Sequence, residues 1–162
     1  MNADAFRHLY AFHFAENRKL WDRHVAGLTQ AQFTQPVAYS VGSVRDQIVH
    51  LMSCDDYWFS GLRGLDMPDM RDPAPYDDRE LLRAHWDAIE GNIRDYLADL
   101  RDDMLLAHPF AGTEDEALVL WQVLLHVTHH GMDHRSQLLR ILHELGCDTG
   151  AQDYIFHIFD NL

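Results

Sequence analysis

The sequence has 162 residues, a formal net charge of −13 and a single lysine, Lys19. This length suits one domain with a buried hydrophobic core, and we expect a single domain over residues 1–162. The acidic balance leaves no basic stripe to neutralise phosphates, so it argues against nucleic acid and an anionic membrane surface as partners.

Apolar residues at helical spacing predict a first helix over residues 3–26, which Gly27 ends. Residues 28–42 contain a proline and a glycine and are typical of a loop. Ser43 is a suitable N-cap for a second helix over residues 44–64, because its hydroxyl can accept a hydrogen bond from a free backbone N–H.

A third helix is predicted over residues 78–101. It follows the longest breaker of the sequence, residues 66–78, which contains three prolines. No segment shows the strict alternation of apolar and polar residues that is typical of a strand, so the sequence predicts helices throughout. No internal repeat is present.

Thr113 and Glu116 form the pattern T-x-x-E, which is typical of a capping box. This pattern predicts the start of a long fourth helix that continues to about Leu145 and stops at Gly146. A short last helix is predicted over residues 151–160. Together these elements indicate an all-α fold: a four-helix bundle with a short extra C-terminal helix.

The cysteine count and the apolar stretches indicate the compartment. Two cysteines, Cys54 and Cys147, are too few for a disulfide framework, which favours a reducing environment. The first ten residues lack the layout of a signal peptide, and the most apolar stretch, residues 117–127, is too short to span a bilayer. We therefore expect a cytoplasmic protein.

Four histidines crowd the stretch HVTHHGMDHRSQ at residues 126–137. Each residue of a helix advances by about 100°, so His130 and His134 lie toward the apolar face of the fourth helix. The same geometry puts His126 at the border of that face and His129 on the polar flank. A buried imidazole needs partners for both nitrogens, so the two inward histidines call for a ligand or a hydrogen-bonding group.

Imidazoles at positions i and i+4 of a helix lie close enough to bind one ion, which makes His130 and His134 a candidate pair of ligands. A divalent ion needs a further ligand, and His50 on the second helix is the best candidate, beside Gln47 and Cys54. The alternative for His50 is a border histidine bonded to a neighbour. No Glu-x-x-His pair, HExxH, G-x-S-x-G or P-loop occurs, which argues against a di-iron site, a zincin, a serine hydrolase and a nucleotide site.

Several stretches together resemble the DinB/YfiT-like proteins. They are GSVRDQIVHL at residues 42–51, LLHVTHHGMDHRSQLLRILHELG at 124–146, the pair Asp153-Tyr154, and the asparagine-bearing FHFAENRKL at 12–20. The resemblance covers nearly the whole chain. It implies a four-helix bundle, a homodimer, and a divalent metal ion, zinc or nickel, in an open cleft.

Carried over to this sequence, the family's three-histidine metal site falls on His50, His130 and His134. The family's usual string is close to H-x-x-N-H-x-x-x-H-R-G-Q, and this chain departs from it twice. His129 stands in place of the asparagine, and it is either an outer group of the site or a solvent-facing histidine. Ser136 stands in place of the glycine and touches no expected ligand.

Other polar residues near the expected ligands are candidates for a supporting role. His126 is a candidate neighbour of the ligands, and Arg135 is a candidate for holding an anionic substrate; its alternative is a surface ion pair. Asp55, Asp56 and Asp133 are candidates for orienting the histidines, and the alternative for each is a solvated charge.

Three function hypotheses follow. Three neutral imidazoles and a water leave a coordination position open, which is typical of a catalytic site, and the resemblance implies a metal-dependent transferase or isomerase using a low-molecular-weight thiol, or a hydrolase. The second hypothesis is a non-catalytic metal-binding protein of a stress response. The third is a metal-free bundle with a pH-sensitive histidine core. The sequence does not identify the substrate.

Overall fold

The computed structural model describes residues 1–162, and it is helical with no strand. Its six α-helices are α1 (Ala3–Leu20), α2 (Gln30–Thr34), α3 (Val44–Leu62), α4 (Arg79–Ala98), α5 (Leu120–Glu144) and α6 (Tyr154–Asp160). A π-helical turn at Trp21–Val25 continues α1, and two short 3₁₀ turns lie at Ala74–Asp77 and Asp102–Met104.

The four long helices form one bundle. Helix α5 packs against α1 and α3, and α4 packs against the other side of the same two helices. Their apolar faces meet in a single core that excludes solvent from Phe6, Ile48, Leu82 and Leu124. The predicted all-α bundle with a short extra C-terminal helix is confirmed, because amphipathic helices of this length bury their apolar stripes most simply against one another.

The predicted start of α3 and end of α5 are confirmed in detail. Ser43 Oγ accepts a hydrogen bond from the backbone N–H of Asp46 over 3.2 Å, and Asp46 Oδ2 accepts one from the N–H of Ser43 over 3.0 Å. At the other end, Gly146 has a φ of +90°, which a residue with a β-carbon rarely adopts. These two caps fix the ends of the helices that carry the histidines.

The prediction of a plain loop over residues 28–42 is wrong in part. Residues 30–34 form the short helix α2, which Thr29 and Gln32 cap reciprocally, and Phe33 on this helix is fully buried. One buried aromatic residue and one cap hold the turn of helix in place. A segment of five residues is too short for a helical period to be visible in the sequence.

The predicted start of the fourth helix at Thr113 is also wrong. Helix α5 begins at Leu120, and Thr113 instead donates its hydroxyl to the carbonyl of Phe110 over 2.8 Å in a turn. The backbone N–H of Leu120 donates to the carbonyl of Ala107 over 2.9 Å, so a first-turn donor of α5 is satisfied by the preceding loop. Tertiary contacts therefore replace the local cap that the motif indicated.

The short helix α6 lies on α1. The ring of Tyr154 packs edge-on against Phe12 at 5.2 Å between centroids, whereas Phe156 and Phe159 remain exposed. None of the helices has the length and apolar character needed to cross a membrane.

Candidate metal centre

Three histidine rings converge between α3 and α5. The ring centroid of His134 lies 4.5 Å from that of His50 and 4.4 Å from that of His130, and the remaining pair is 5.2 Å apart. Nε2 of His50 lies 3.3 Å from Nε2 of His130. The structure thus brings together all three histidines to which the resemblance assigned the ion.

The helical geometry explains this convergence. His130 and His134 are one turn apart on α5, and the face that carries them packs against α3, where His50 lies. His134 is buried, and His130 and His50 are half-buried. The cluster therefore lies at the edge of the core, where it keeps contact with solvent.

Cys54 is a member of the cluster that sequence reasoning named only as a neighbour of His50. Its Sγ lies 3.6 Å from Nε2 of His50. The ligating atoms of His50, Cys54 and His130 all lie within 4.8 Å of one another. The signal that would have found it is the i, i+4 spacing of His50 and Cys54, the same spacing that marked the pair on α5.

Gln47 orients His134 from one turn before His50. Its Oε1 lies 3.1 Å from Nδ1 of His134, and Gln47 is fully buried. With Nδ1–H of His134 donating to this oxygen, Nε2 of the same ring carries a free electron pair, as a metal ligand requires. The buried Nε2 of Gln47 has no hydrogen-bond partner, so the contact with His134 is the one hydrogen bond of this side chain.

The environment keeps the imidazoles neutral. Burial first, and then the neighbouring His134, His50 and His126, lowers the pKa of His130 to about 4. Burial first, and then His134, lowers the pKa of His50, and burial lowers that of His134. Neutral imidazoles at pH 7 have lone pairs available for a cation.

The pKa of the Cys54 thiol is shifted upward, opposite to the pKa of the histidines, because the charged form of a thiol is an anion. Burial, followed by the charge of Asp55, raises the pKa of Cys54 to about 11. The thiol is therefore protonated near neutral pH unless a cation is present beside it.

The donor set fits a divalent ion. Bonds of about 2.05 Å from zinc to imidazole nitrogen, at tetrahedral angles, put two such nitrogens about 3.3 Å apart. The observed separation between Nε2 of His50 and Nε2 of His130 is 3.3 Å. Imidazole and thiolate are donors that zinc and nickel accept.

Of the supporting histidines, the structure brings one toward the cluster. The exposed ring of His126 lies 5.7 Å from that of His130 and 5.4 Å from Trp58. His129 is exposed, and its Nδ1 lies 2.9 Å from the carbonyl of Leu125 in its own helix. The structure does not bring His129 to the cluster.

The interpretation of Arg135 as a surface ion-pair residue is wrong. Arg135 is only 2% exposed and lies between α5 and α1. Its Nη1 donates to Oδ1 of Asn17 over 2.9 Å and to Nδ1 of His13 over 3.0 Å, and its Nε donates to Gln152 over 3.0 Å. The guanidinium thus faces α1, away from the histidine cluster, and its hydrogen bonds join two helices and the segment before α6.

The three aspartates lie in different environments, and Asp133 is exposed as a solvated charge would be. Asp55 is buried, and its Oδ2 lies 3.9 Å from Nε2 of His13, so its interpretation as a solvated charge is wrong. Asp56 forms an ion pair with Arg71 at 2.6 Å, and Asp133 accepts a hydrogen bond from Gln137. None of these contacts joins a carboxylate to a ring of the cluster, and Gln47 is the residue that orients one.

Comparison with known proteins supports the same assignment as the fold. A family model described as the DinB family matches residues 1–160. A comparison with curated proteins found no match to this chain. Since the family model covers nearly the full length, and since the chain folds as a helical bundle with the histidine cluster between two of its helices, this protein belongs to the DinB family.

Proposed function

We propose that this protein binds one divalent metal ion, zinc or nickel, with His50, His130 and His134, and that the bound ion acts on a small molecule. The observation that carries the proposal is the convergence of three neutral imidazoles from two helices, with Nε2 of His50 and Nε2 of His130 separated by 3.3 Å. The ring nitrogens of three largely buried imidazoles are costly to leave without a shared cation or a chain of hydrogen bonds.

A cavity beside the cluster supports a small-molecule ligand. It has a volume of about 400 Å³ and is lined by Trp58, Leu118, Gln122, Val123 and His126. The ring of His126, which lines this cavity, lies 5.7 Å from that of His130. An apolar wall with two polar side chains suits a molecule with an apolar body and one polar end.

In the proposed reaction, the ion would activate the reacting group and the side chains would orient the ligands and bind the small molecule. A bound divalent ion would lower the pKa of a water or thiol that reaches it. Gln47 accepts a hydrogen bond from Nδ1–H of His134, which leaves Nε2 of that ring with the free lone pair, and burial favours the neutral forms of His50 and His130. Trp58 and His126, whose rings lie 5.4 Å apart, line the cavity beside the cluster. This arrangement suits a metal-dependent transferase or isomerase that uses a low-molecular-weight thiol.

Metal analysis tests the site directly. Protein purified without a histidine tag should hold about one ion per chain after exposure to zinc and removal of the free metal, because three fixed imidazoles suffice for a catalytic-type site. His130→Asn should abolish this binding. His143→Asn, which changes an exposed histidine of the same helix, is the matched control and should bind as the native chain does. Less than about a tenth of an ion per chain would favour the metal-free bundle with a pH-sensitive core.

A thiol-binding measurement tests the activity class. A small thiol titrated into the cobalt-loaded protein should change the visible spectrum if the thiol reaches the ion. An unchanged spectrum, with no hydrolysis of activated esters, would favour the non-catalytic metal-binding protein. One observation favours that second candidate, namely the distance of 3.6 Å between Cys54 Sγ and Nε2 of His50.

The homodimer belongs to the same proposal. Its support is the apolar surface of α6, where Ile155, Phe156 and Phe159 are exposed. Light scattering at several protein concentrations should give the mass of two chains. A mass of one chain at all concentrations would contradict the dimer and leave the metal site untouched.

A further inference from the structure

We propose that Cys54 is a fourth protein ligand of the ion, so that the resting centre has three imidazoles and one thiolate. This inference rests on the proposed metal site and goes beyond the three-histidine set. It assigns to the thiol the coordination position that a three-histidine site leaves to solvent.

The distances around Cys54 carry the inference. Zinc bonds of about 2.3 Å to sulfur and about 2.05 Å to nitrogen, at tetrahedral angles, separate the sulfur and nitrogen by about 3.6 Å. Sγ of Cys54 lies 3.6 Å from Nε2 of His50, and that nitrogen lies 3.3 Å from Nε2 of His130. Sγ also lies 4.0 Å from Nδ1 of the same ring, so the thiol lies over the imidazole and would move toward the lone pair of Nε2 when an ion binds. The ligating atoms of His50, Cys54 and His130 all lie within 4.8 Å of one another.

The arrangement on the helices is symmetrical. His50 and Cys54 are four residues apart on α3, and His130 and His134 are four residues apart on α5. Each helix therefore presents two donors from consecutive turns of one face. The two faces meet where α3 packs against α5, so two i, i+4 pairs face each other across one helix contact.

The surroundings of Cys54 contain no other cation for a thiolate. Arg71 is held by Asp56 at 2.6 Å, and Arg135 is held by Asn17 and His13. The adjacent residue, Asp55, is itself a buried carboxylate. An ion at the histidines is therefore the group that would compensate the negative charge on sulfur. On binding, the S–H bond breaks, a sulfur–metal bond forms, and the proton leaves to solvent, with no change of oxidation state.

The fourth ligand has a consequence for ligand access. With Cys54 bound, all four tetrahedral positions belong to the protein, as in structural zinc sites. An incoming thiol must then displace Cys54 or raise the coordination number to five. Cys54→Ser should therefore increase the response of the cobalt-loaded protein to an added thiol, whereas an open three-histidine site would respond equally in both proteins.

Cobalt absorption spectroscopy tests the ligand separately from the site. Visible d–d bands report that cobalt binds at all, and a near-ultraviolet thiolate-to-cobalt band reports a sulfur ligand. The native protein and Cys147→Ser, which removes the other free cysteine, should show both features. Cys54→Ser should keep the visible bands and lose the charge-transfer band.

The outcomes distinguish the two proposals. Visible bands without a charge-transfer band in the native protein, or a charge-transfer band that survives in Cys54→Ser, would overturn the fourth ligand and leave the metal site standing. The absence of visible bands in every protein would overturn the metal site itself.

A second measurement requires no variant. Zinc X-ray absorption on the loaded native protein should find one sulfur at about 2.3 Å together with nitrogen at about 2.0–2.1 Å. A shell of nitrogen and oxygen alone would overturn the fourth ligand even if Cys54→Ser failed to fold.

Discussion

Gly131 on α5 lies so close to His13 on α1 that a β-carbon at this glycine would fall 2.3 Å from Cε1 of the histidine ring. The same carbon would lie 3.2 Å from Nη1 of Arg135. His13 is only 1% exposed and is bonded to its neighbours, so the ring has no free space to move into. The absence of a side chain at this position allows α1 and α5 to pack around the buried arginine.

We therefore expect Gly131→Ala to lower the free energy of unfolding by about 1–3 kcal/mol, since overpacking forces the helices apart or the ring out of its contacts. Urea denaturation measures the change. Gly91→Ala is the matched control, because a β-carbon there meets nothing within 4 Å, and it should stabilise helix α4 by about 0.5–1 kcal/mol. A Gly131→Ala protein as stable as the native one would contradict this packing.

Arg135→Ala should be among the most destabilising single substitutions in the chain. It leaves Asn17, His13 and Gln152 without the donor they share, and a buried polar group left without its partner costs about 1–3 kcal/mol. Arg140→Ala, which removes an exposed ion pair with Glu144 on the same helix, should change stability by less than about 1 kcal/mol. If urea denaturation gave the same loss of unfolding free energy for both substitutions, the buried contacts of the Arg135 guanidinium would contribute nothing extra to stability.

Gln47→Ala should weaken metal binding without removing a ligand. The substitution deletes the acceptor that holds Nδ1 of His134, and losses of this kind typically lower metal affinity by about 10–100-fold. Competition with a chelating dye measures the affinity. Gln137→Ala, which changes an exposed glutamine bonded to Asp133, should leave the affinity unchanged, and an equal loss in both proteins would rule out a specific role for Gln47.

The metal-free protein should lose stability on acidification. The pKa of His130 is about 4 in the folded protein, against an ordinary value of 6.5. Between these two values the unfolded chain binds more protons than the folded one, so the free energy of unfolding falls as the pH falls from 6.5 toward 4. Urea denaturation at pH 7 and pH 5 measures the slope. His130→Asn should show a shallower slope, and an unchanged slope would mean that other groups govern acid unfolding.

The sequence allowed a prediction of the helices and of the inward histidines because both depend on local periodicity. The 100° step between residues directed His130 and His134 toward the core, and both lie at the cluster. His50 required the family resemblance, since no pattern within one helix shows which other helix it packs against. The i, i+4 spacing of His50 and Cys54 is visible in the sequence, but the place of Cys54 in the cluster is evident only once α3 and α5 are in contact.

The incorrect predictions have the same physical origin. The pattern at Thr113 describes what a cap can do locally, but the loop before α5 supplies the first-turn acceptor instead. Arg135 had two interpretations, a residue that holds an anionic substrate and a surface ion pair, and neither put it in the core, because arginine is rarely buried without partners. Its partners His13 and Asn17 lie 122 and 118 residues earlier in the chain, a distance at which sequence spacing carries no information.

His50 and His130 are 80 residues apart in the sequence. A metal ion bound by both, as proposed above, would therefore couple the availability of the ion to the stability of the fold. An unfolded chain offers an ion only the short-range pairs within each helix segment, whereas the folded chain offers the full set. An ion bound at the proposed site would therefore favour the folded state, and each tenfold rise in its free concentration above the dissociation constant would add about 1.4 kcal/mol to the free energy of unfolding. Without the ion, the same polypeptide would unfold more often and be cleaved by proteases sooner.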